Sequence, residues 1–343
     1  SIAPTRNTLR RFNALNTELD IGPPSSARIP RMCPEPHFVN TNGICLALYE
    51  QGQGPPVILL HGFPELAFSW RFQLPAIADA GFHAIAVDQR GYGRSSVPSN
   101  VEDYGIDCLI GDVLGLLDTL KLERATFVGH DWGAFVLWHM SLLCPERMDR
   151  QAILNIPFWP RPPIDPIALF RQQLGDDFYI VNFQESDEAD RAFASDPAHF
   201  FDMLMRKNQV SRREFDTLPP DRRSISLLEI FARSESSGEP LLNAAERDVF
   251  ANAFAKTGFT GPINWYRNWT ANWERLEGVP QIVKVPTLFI GALDDIVVSP
   301  EHIEAMKPFV TDLECHVLDN CGHWSQQERA DDVNRLLIDW LDS

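Results

Sequence analysis

The sequence predicts an open, mostly parallel α/β sheet flanked by helices and interrupted by a long helical insertion. Three observations predict it. Short apolar runs end at turn residues, amphipathic segments alternate with them, and the alternation stops between residues 157 and 281.

The first strand-like run is Val57-Ile58-Leu59-Leu60, before His61-Gly62, and the second runs from Phe82 to Val87, before Asp88. The third is Ala125-Thr126-Phe127-Val128 before Gly129, and Val285 to Ile290 before Gly291 repeats the pattern near the end. Ala152-Ile153-Leu154-Asn155 fits less cleanly, and Glu314 to Leu318 reads as a last strand. Unbroken apolar runs are what strands covered on both faces require. Helical segments lie between them, from Cys108 through Leu120 and from Ala134 through Leu143. Ligands of such sheets bind beyond the carboxyl ends of the strands, where His61, Asp88, Asp131 and Gly291 fall.

Pro157, Pro160, Pro162, Pro163 and Pro166 crowd one stretch, which excludes both regular helix and central strand. From there to 281 the chain is helix-like and aromatic. The expected organisation is a Pro-rich arm over 1–39, a core formed by 40–156 with 282–343, and a helical cap over 157–281 covering the strand ends.

A net charge of −17 argues against a nucleic-acid surface, which needs clustered Lys and Arg. No stretch approaches the ~20 apolar residues that span a bilayer. Arg10-Arg11 has no apolar run behind it, so no intact signal peptide is read and a cytoplasmic location is expected. The chain starts at Ser1 rather than Met, which leaves a trimmed export signal open. Six cysteines, at 33, 45, 108, 144, 315 and 321, include no C-x-x-C pair and share no ligand spacing with the histidines. Free, buried thiols are expected, with a Cys315–Cys321 bridge the less favoured alternative, and no metal site.

Residues 127–136 read FVGHDWGAFV. Gly-x-nucleophile-x-Gly marks a sharp strand-to-helix turn that lifts one side chain above a sheet, and here Asp131 stands where serine is common. An aspartate, with an unperturbed pKa of about 3.9, is ionised without help from a base. It is suited to displacing a leaving group at saturated carbon, which leaves a covalent ester on the enzyme. Hydrolysing that ester needs a base, and His323 is the candidate, in Cys321-Gly322-His323-Trp324 after the last strand. Its orienting acid is expected on the loop Gly291 to Pro300, where Asp294 and Asp295 leave two choices and Asp295 is favoured. Asn155 closes the preceding strand with an amide, which cannot serve as that acid. The oxyanion hole is expected from the backbone N–H groups of Phe63 and Trp132. Pro64 after Phe63 invites a cis peptide.

At these residues the chain resembles the α/β-hydrolase-fold epoxide hydrolases, and is similar to the catalytic domain of the mammalian soluble enzyme, from about residue 38 to 343. The resemblance rests on His61-Gly62-Phe63-Pro64-Glu65, Gly91-Tyr92-Gly93, Gly129 to Gly133, Gly261 to Asn268 and Cys321 to Trp324. It implies an α/β-hydrolase fold with an inserted cap, and conversion of a small apolar epoxide and water to a vicinal diol without a cofactor. That family activates the epoxide oxygen with two cap tyrosines, and Tyr179 and Tyr266 stand at the matching positions. A neutral phenol can hydrogen-bond the epoxide oxygen and protonate the developing alkoxide.

Phe63, Trp132 and Trp324 are expected to line the substrate slot, whereas His130 and Arg90 are read as structural. Trp265, Trp269 and Trp273 recur every four residues and are expected on one helical face packing cap onto core. The close rival is a haloalkane or haloacid dehalogenase using the same aspartyl ester, although Phe63-Pro64-Glu65 does not resemble the Asn-bearing turn of haloalkane dehalogenases. A rival of another class is a catalytically silent scaffold that binds a ligand or partner. A monomer or homodimer is expected.

Overall fold

The computed structural model describes residues 34–207, 212–219 and 223–343. Its main sheet has eight strands: β1 (His37–Thr41), β2 (Ile44–Gln51), β3 (Pro56–Leu60), β4 (His83–Asp88), β5 (Ala125–His130), β6 (Met148–Leu154), β9 (Thr287–Ala292) and β10 (Leu313–Leu318). A separate two-residue ribbon pairs β7 (Arg206–Lys207) with β8 (Glu239–Pro240). The sheet order is β1-β2-β4-β3-β5-β6-β9-β10. β1 and β2 run antiparallel, as do β2 and β4, and every other neighbouring pair is parallel.

The antiparallel hairpin β1–β2 lies outside the set of strands read from the sequence, and it corrects the arm boundary at 39, because β1 begins at His37. The reason is physical. An edge strand is half-solvated, so β1 alternates with Phe38 exposed and Val39 buried, where a central strand shows an unbroken apolar run. The expected arm otherwise falls on residues 1–33, outside the described residues.

Central strands divide their side chains between two cores. Val57 and Leu59 of β3 join one cluster with Leu74 and Ile77 of α1 (Gln73–Asp79) and Val333 and Leu337 of α15 (Ala330–Leu341). Ile58 and Leu60 join a second cluster with Val113 and Leu117 of α2 (Ile106–Thr119) and Leu137 of α3 (Trp132–Leu143). β3 pairs with β4 on one side and β5 on the other, so the chain reverses its direction of progress across the sheet there. A crevice forms at such a reversal, outside the carboxyl ends of the two strands. Phe63 follows β3 and Asp131 follows β5, which sets both at its mouth.

The turn into α3 is tight. A Cβ on Gly133 would overlap the Leu60 carbonyl oxygen of β3, and one on Gly129 would lie 2.7 Å from the Gly133 carbonyl carbon. Only glycines let strand and helix approach this closely.

Between β6 and β9 lie nine helices among the described residues, from α4 (Pro166–Leu174) to α12 (Trp269–Arg275). Asp165 caps α4 by accepting the Ile167 amide, with Pro166 in the first turn. Phe183, Phe193, Phe200, Phe250, Phe254 and Phe259 are buried in the same cluster that covers Ile58 and Leu60 of the sheet. Cap and sheet therefore share one apolar core. The tryptophan series does not sit on one helix, because α11 (Thr260–Arg267) ends before Asn268 and α12 starts at Trp269. The Asn268 amide donates to the carbonyls of Val101 and Asn264 there. Trp265 and Trp269 both pack on Trp132 of the core, while Trp273 donates to the Pro162 carbonyl and carries Arg161 on its face.

Cys45, Cys108, Cys144, Cys315 and Cys321 are free thiols; Cys144 and Cys321 are buried and the others half-buried. Among the described residues no cluster of His, Cys, Asp or Glu could hold a metal ion, and no helix is long and apolar enough to cross a membrane.

Gly133→Ala is expected to lower stability by about 1–3 kcal/mol through overpacking against the Leu60 carbonyl. Urea denaturation, with an unchanged slope and a lower midpoint, checks it.

Candidate active site

Asp131 occupies the bend between β5 and α3 at φ +49°, ψ −117°, a conformation that L side chains rarely adopt. The bend aims its carboxylate away from the sheet and sets it at the start of α3, where the helix dipole favours negative charge. Its Oδ1 accepts the Phe63 amide at 2.7 Å. Gly62 makes that contact possible, since a Cβ on it would overlap the Asp131 side chain. The Phe63–Pro64 peptide is cis.

His323 stands between β10 and α14 (Ser325–Glu328), with Nε2 at 3.5 Å from Asp131 Oδ2 and Nδ1 at 2.9 Å from Asp295 Oδ2. Asp295 is buried, and also accepts from Asn155 Nδ2 at 2.8 Å and the Val297 amide at 2.9 Å. Asp294 does not reach the imidazole. Its carboxylate accepts the Arg212 amide at 3.3 Å and faces the cavity.

Charges shape this row of groups. Burial alone would push the Asp131 carboxyl up; the hydrogen bond and charge of His323, with His130 and the Phe63 amide, outweigh it and hold the group below its ordinary range. Burial would likewise raise Asp295, but the charge and hydrogen bond of His323 and the Asn155 amide keep it low. For His323 burial works downward, yet the charge of Asp295, then the hydrogen bond its imidazole donates to Asp131, raise it well above the ordinary imidazole value.

Tyr179 opens α5 (Tyr179–Glu185) and Tyr266 lies in α11, with ring centroids 5.6 Å apart. Both line the same cavity as Asp131 and His323. Burial, then the charge of Asp131, raises the Tyr179 phenol above its ordinary value. Burial and the neighbouring Tyr179 raise Tyr266 well above it, against the hydrogen bond from Trp132. Both are neutral donors at working pH.

The cavity is about 230 Å³. Of the residues expected along the slot, Phe63 and Trp324 line it, and Trp132 lies outside its lining. Its indole turns into the cap, with ring centroids 4.7 Å from Phe135, 5.0 Å from Tyr266 and 5.2 Å from Trp269. Its backbone amide remains at the first turn of α3, where helix N–H groups lack partners within the helix.

Two supports have contacts that the sequence did not predict. Glu65 is fully buried and accepts from the Gly62 amide (3.1 Å), Gln326 Nε2 (2.8 Å) and Gln327 Nε2 (3.1 Å), and meets His130 Nδ1 at 2.6 Å. His130 Nε2 in turn donates to the His323 carbonyl at 2.7 Å. A buried carboxylate thus joins the turn after β3, the elbow and the histidine loop. Asn155, at φ +68°, donates to Asp295 and the Gly322 carbonyl and accepts from Ser325 Oγ. The available signal was polar residues at the carboxyl ends of apolar strands, which a single sequence does not separate from ordinary loop polarity.

Residues 55–330 match the family model described as the alpha/beta hydrolase fold. Epoxide hydrolase A of Mycobacterium tuberculosis is 40% identical over 323 residues, covering 90% of this chain and 97% of that protein. Bifunctional epoxide hydrolase 2 of Sus scrofa is 36% identical over 304 residues, and the chain spans about half of that protein's length (54%). The crystal structure of epoxide hydrolase A from Mycobacterium thermoresistibile superposes with a TM-score of 0.81 at 39% identity, over 90% of this chain and 98% of that one. Fold and site together define an α/β hydrolase with an aspartate at its strand-to-helix turn. Within that fold the chain belongs to the epoxide hydrolase family.

Asp131→Asn removes a negative charge beside His323 while keeping the shape of the side chain. The imidazolium loses a stabilising neighbour, so the His323 pKa is expected to fall relative to wild type. Histidine NMR titration reads this directly, and an unchanged value would show that Asp131 does not act on His323.

Proposed function

We propose that the protein hydrolyses an apolar epoxide to a vicinal diol in two steps. Asp131 attacks one epoxide carbon while the Tyr179 and Tyr266 hydroxyls hold the oxygen and one of them gives it a proton. The C–O bond breaks as the aspartyl ester forms. His323 then removes a proton from water, which attacks the ester carbonyl; Asp295 stabilises the resulting imidazolium. The carbonyl oxygen develops charge where Asp131 Oδ1 now accepts the Phe63 amide, and the Trp132 amide serves as second donor. Collapse of that intermediate releases the diol and regenerates the carboxylate; the tyrosine is restored by the proton that the His323 imidazolium loses before it acts as base.

One observation carries the reading: the 3.5 Å approach of His323 Nε2 to Asp131 inside a cavity whose lining also includes both tyrosines. A nucleophile, a base for the second step and an acid for the leaving oxygen share one space. Halide expulsion finds less support, because it needs no proton and because the Trp132 indole, the natural halide donor, packs edge-on against Tyr266 outside the cavity lining. The free thiols fit a reducing, cytoplasmic setting.

Electrostatics times the two steps. Before attack, His323 is raised by both carboxylates and favours the protonated form. Esterification neutralises Asp131, so one raising influence disappears and the imidazole becomes available as a base. Ester hydrolysis is therefore expected to rise with pH through an apparent pKa lower than that of His323 in the free enzyme, measured by single-turnover kinetics.

Tyr179→Phe and Tyr266→Phe are each expected to slow ester formation by about 10²-fold while ester hydrolysis stays near wild type. Stopped-flow tryptophan fluorescence separates the steps. In ¹⁸O water, the first-turnover diol should carry unlabelled oxygen from Asp131; label in that turnover would sink the covalent route.

A further inference from the structure

The walls around Asp131 are unequal, and the inequality bears on the epoxide chemistry proposed above, on which this inference rests. The cavity lining includes an aliphatic set, Leu204, Ile225, Leu227 and Ile230 of the cap and Ile296 and Val297 of the core, together with the charged Arg206, Glu214, Asp294 and Glu328. Behind the tyrosine pair the described residues fill the space with rings. Tyr266 stacks on Trp269 at 6.1 Å, Trp269 meets Phe170 at 5.7 Å, Phe170 meets Phe178 at 5.5 Å and Phe178 meets Tyr179 at 5.0 Å. The 5.6 Å contact between the tyrosines closes this five-ring cycle. Phe135 wedges beside it, 4.7 Å from Trp132, 5.3 Å from Trp269 and 4.4 Å from His139. Ring centroids at these separations are in van der Waals contact, which leaves no room for a substituent between them.

An epoxide in this site is fixed at two points, its oxygen on the tyrosines and one carbon at Asp131. Trans substituents on its two carbons then project to opposite sides of the small ring. One can lie along the aliphatic lining; the other, directed past Tyr266, runs into the rings packed behind it, Trp132, Phe135 and Trp269, which lie outside the cavity lining. We propose that the site reads the substitution pattern of its substrate, taking terminal epoxides with one apolar arm and rejecting those with large groups trans on both carbons. Phe135 and Trp269 are the residues that set this specificity.

The test compares kcat/KM for styrene oxide and trans-stilbene oxide in the wild type, Phe135→Ala and Trp269→Ala, with Phe135→Leu and Trp269→Leu as milder truncations in case an alanine variant fails to fold. The wild type is expected to favour styrene oxide by at least about tenfold, and the folded variants to shrink that ratio by about tenfold. Equal wild-type turnover of the two epoxides overturns the proposal, as does an unchanged ratio in every folded variant. If the folded wild type turns over neither, the epoxide reading itself falls and this inference with it.

Discussion

The backbone at Asp131, held at φ +49° between two glycines, is the constraint on which the site depends. A carboxylate at the end of an ordinary strand would run on into the loop and lie flat against its neighbours. Here the chain turns at once into α3, because Gly133 lets the helix touch the Leu60 carbonyl of β3. The cost of a left-handed aspartate is of order 1–3 kcal/mol, offset by the packing of strand and helix that only this turn permits. What results is a carboxylate raised at the point where the sheet reverses its strand order, facing the turn that follows β3.

Around that point the protein uses buried polar side chains to bring separate loops into register. Glu65 and His130 connect three of them, and Asn155 ties Asp295 to the carbonyl of Gly322. Each such group is costly when unpaired and rigid when satisfied, so the network resists small displacements that apolar packing would tolerate. The geometry at His323 follows from this. Its side chain is held by Asp295, while its own carbonyl is held by His130, so ring and backbone are fixed from opposite directions.

How much of this was legible depends on the scale of the signal. Central strands β3, β4, β5 and β9 announce themselves as apolar runs because both faces are covered, and the elbow announces itself through paired glycines. The β1–β2 hairpin was lost because its solvated edge dilutes the pattern. Asp131 and His323 were legible from their places after strands, and the preference for Asp295 over Asp294 agrees with which carboxylate faces the imidazole. Trp132, expected as a wall of the slot, packs against Phe135, Tyr266 and Trp269; nothing in GHDWG tells which way an indole at the first turn of a helix will swing. Glu65 and His130 stand in motifs the sequence shows, but their pairing spans 65 positions and exists only once the sheet is assembled.

The shared apolar cluster has a thermodynamic consequence. Phe183, Phe200 and Phe254 of the cap belong to the same packed body as Ile58, Leu60 and Phe127 of the sheet. Among the described residues, separating the inserted helices from the strands would expose apolar side chains of both to water. The insertion is thus part of what keeps the sheet folded.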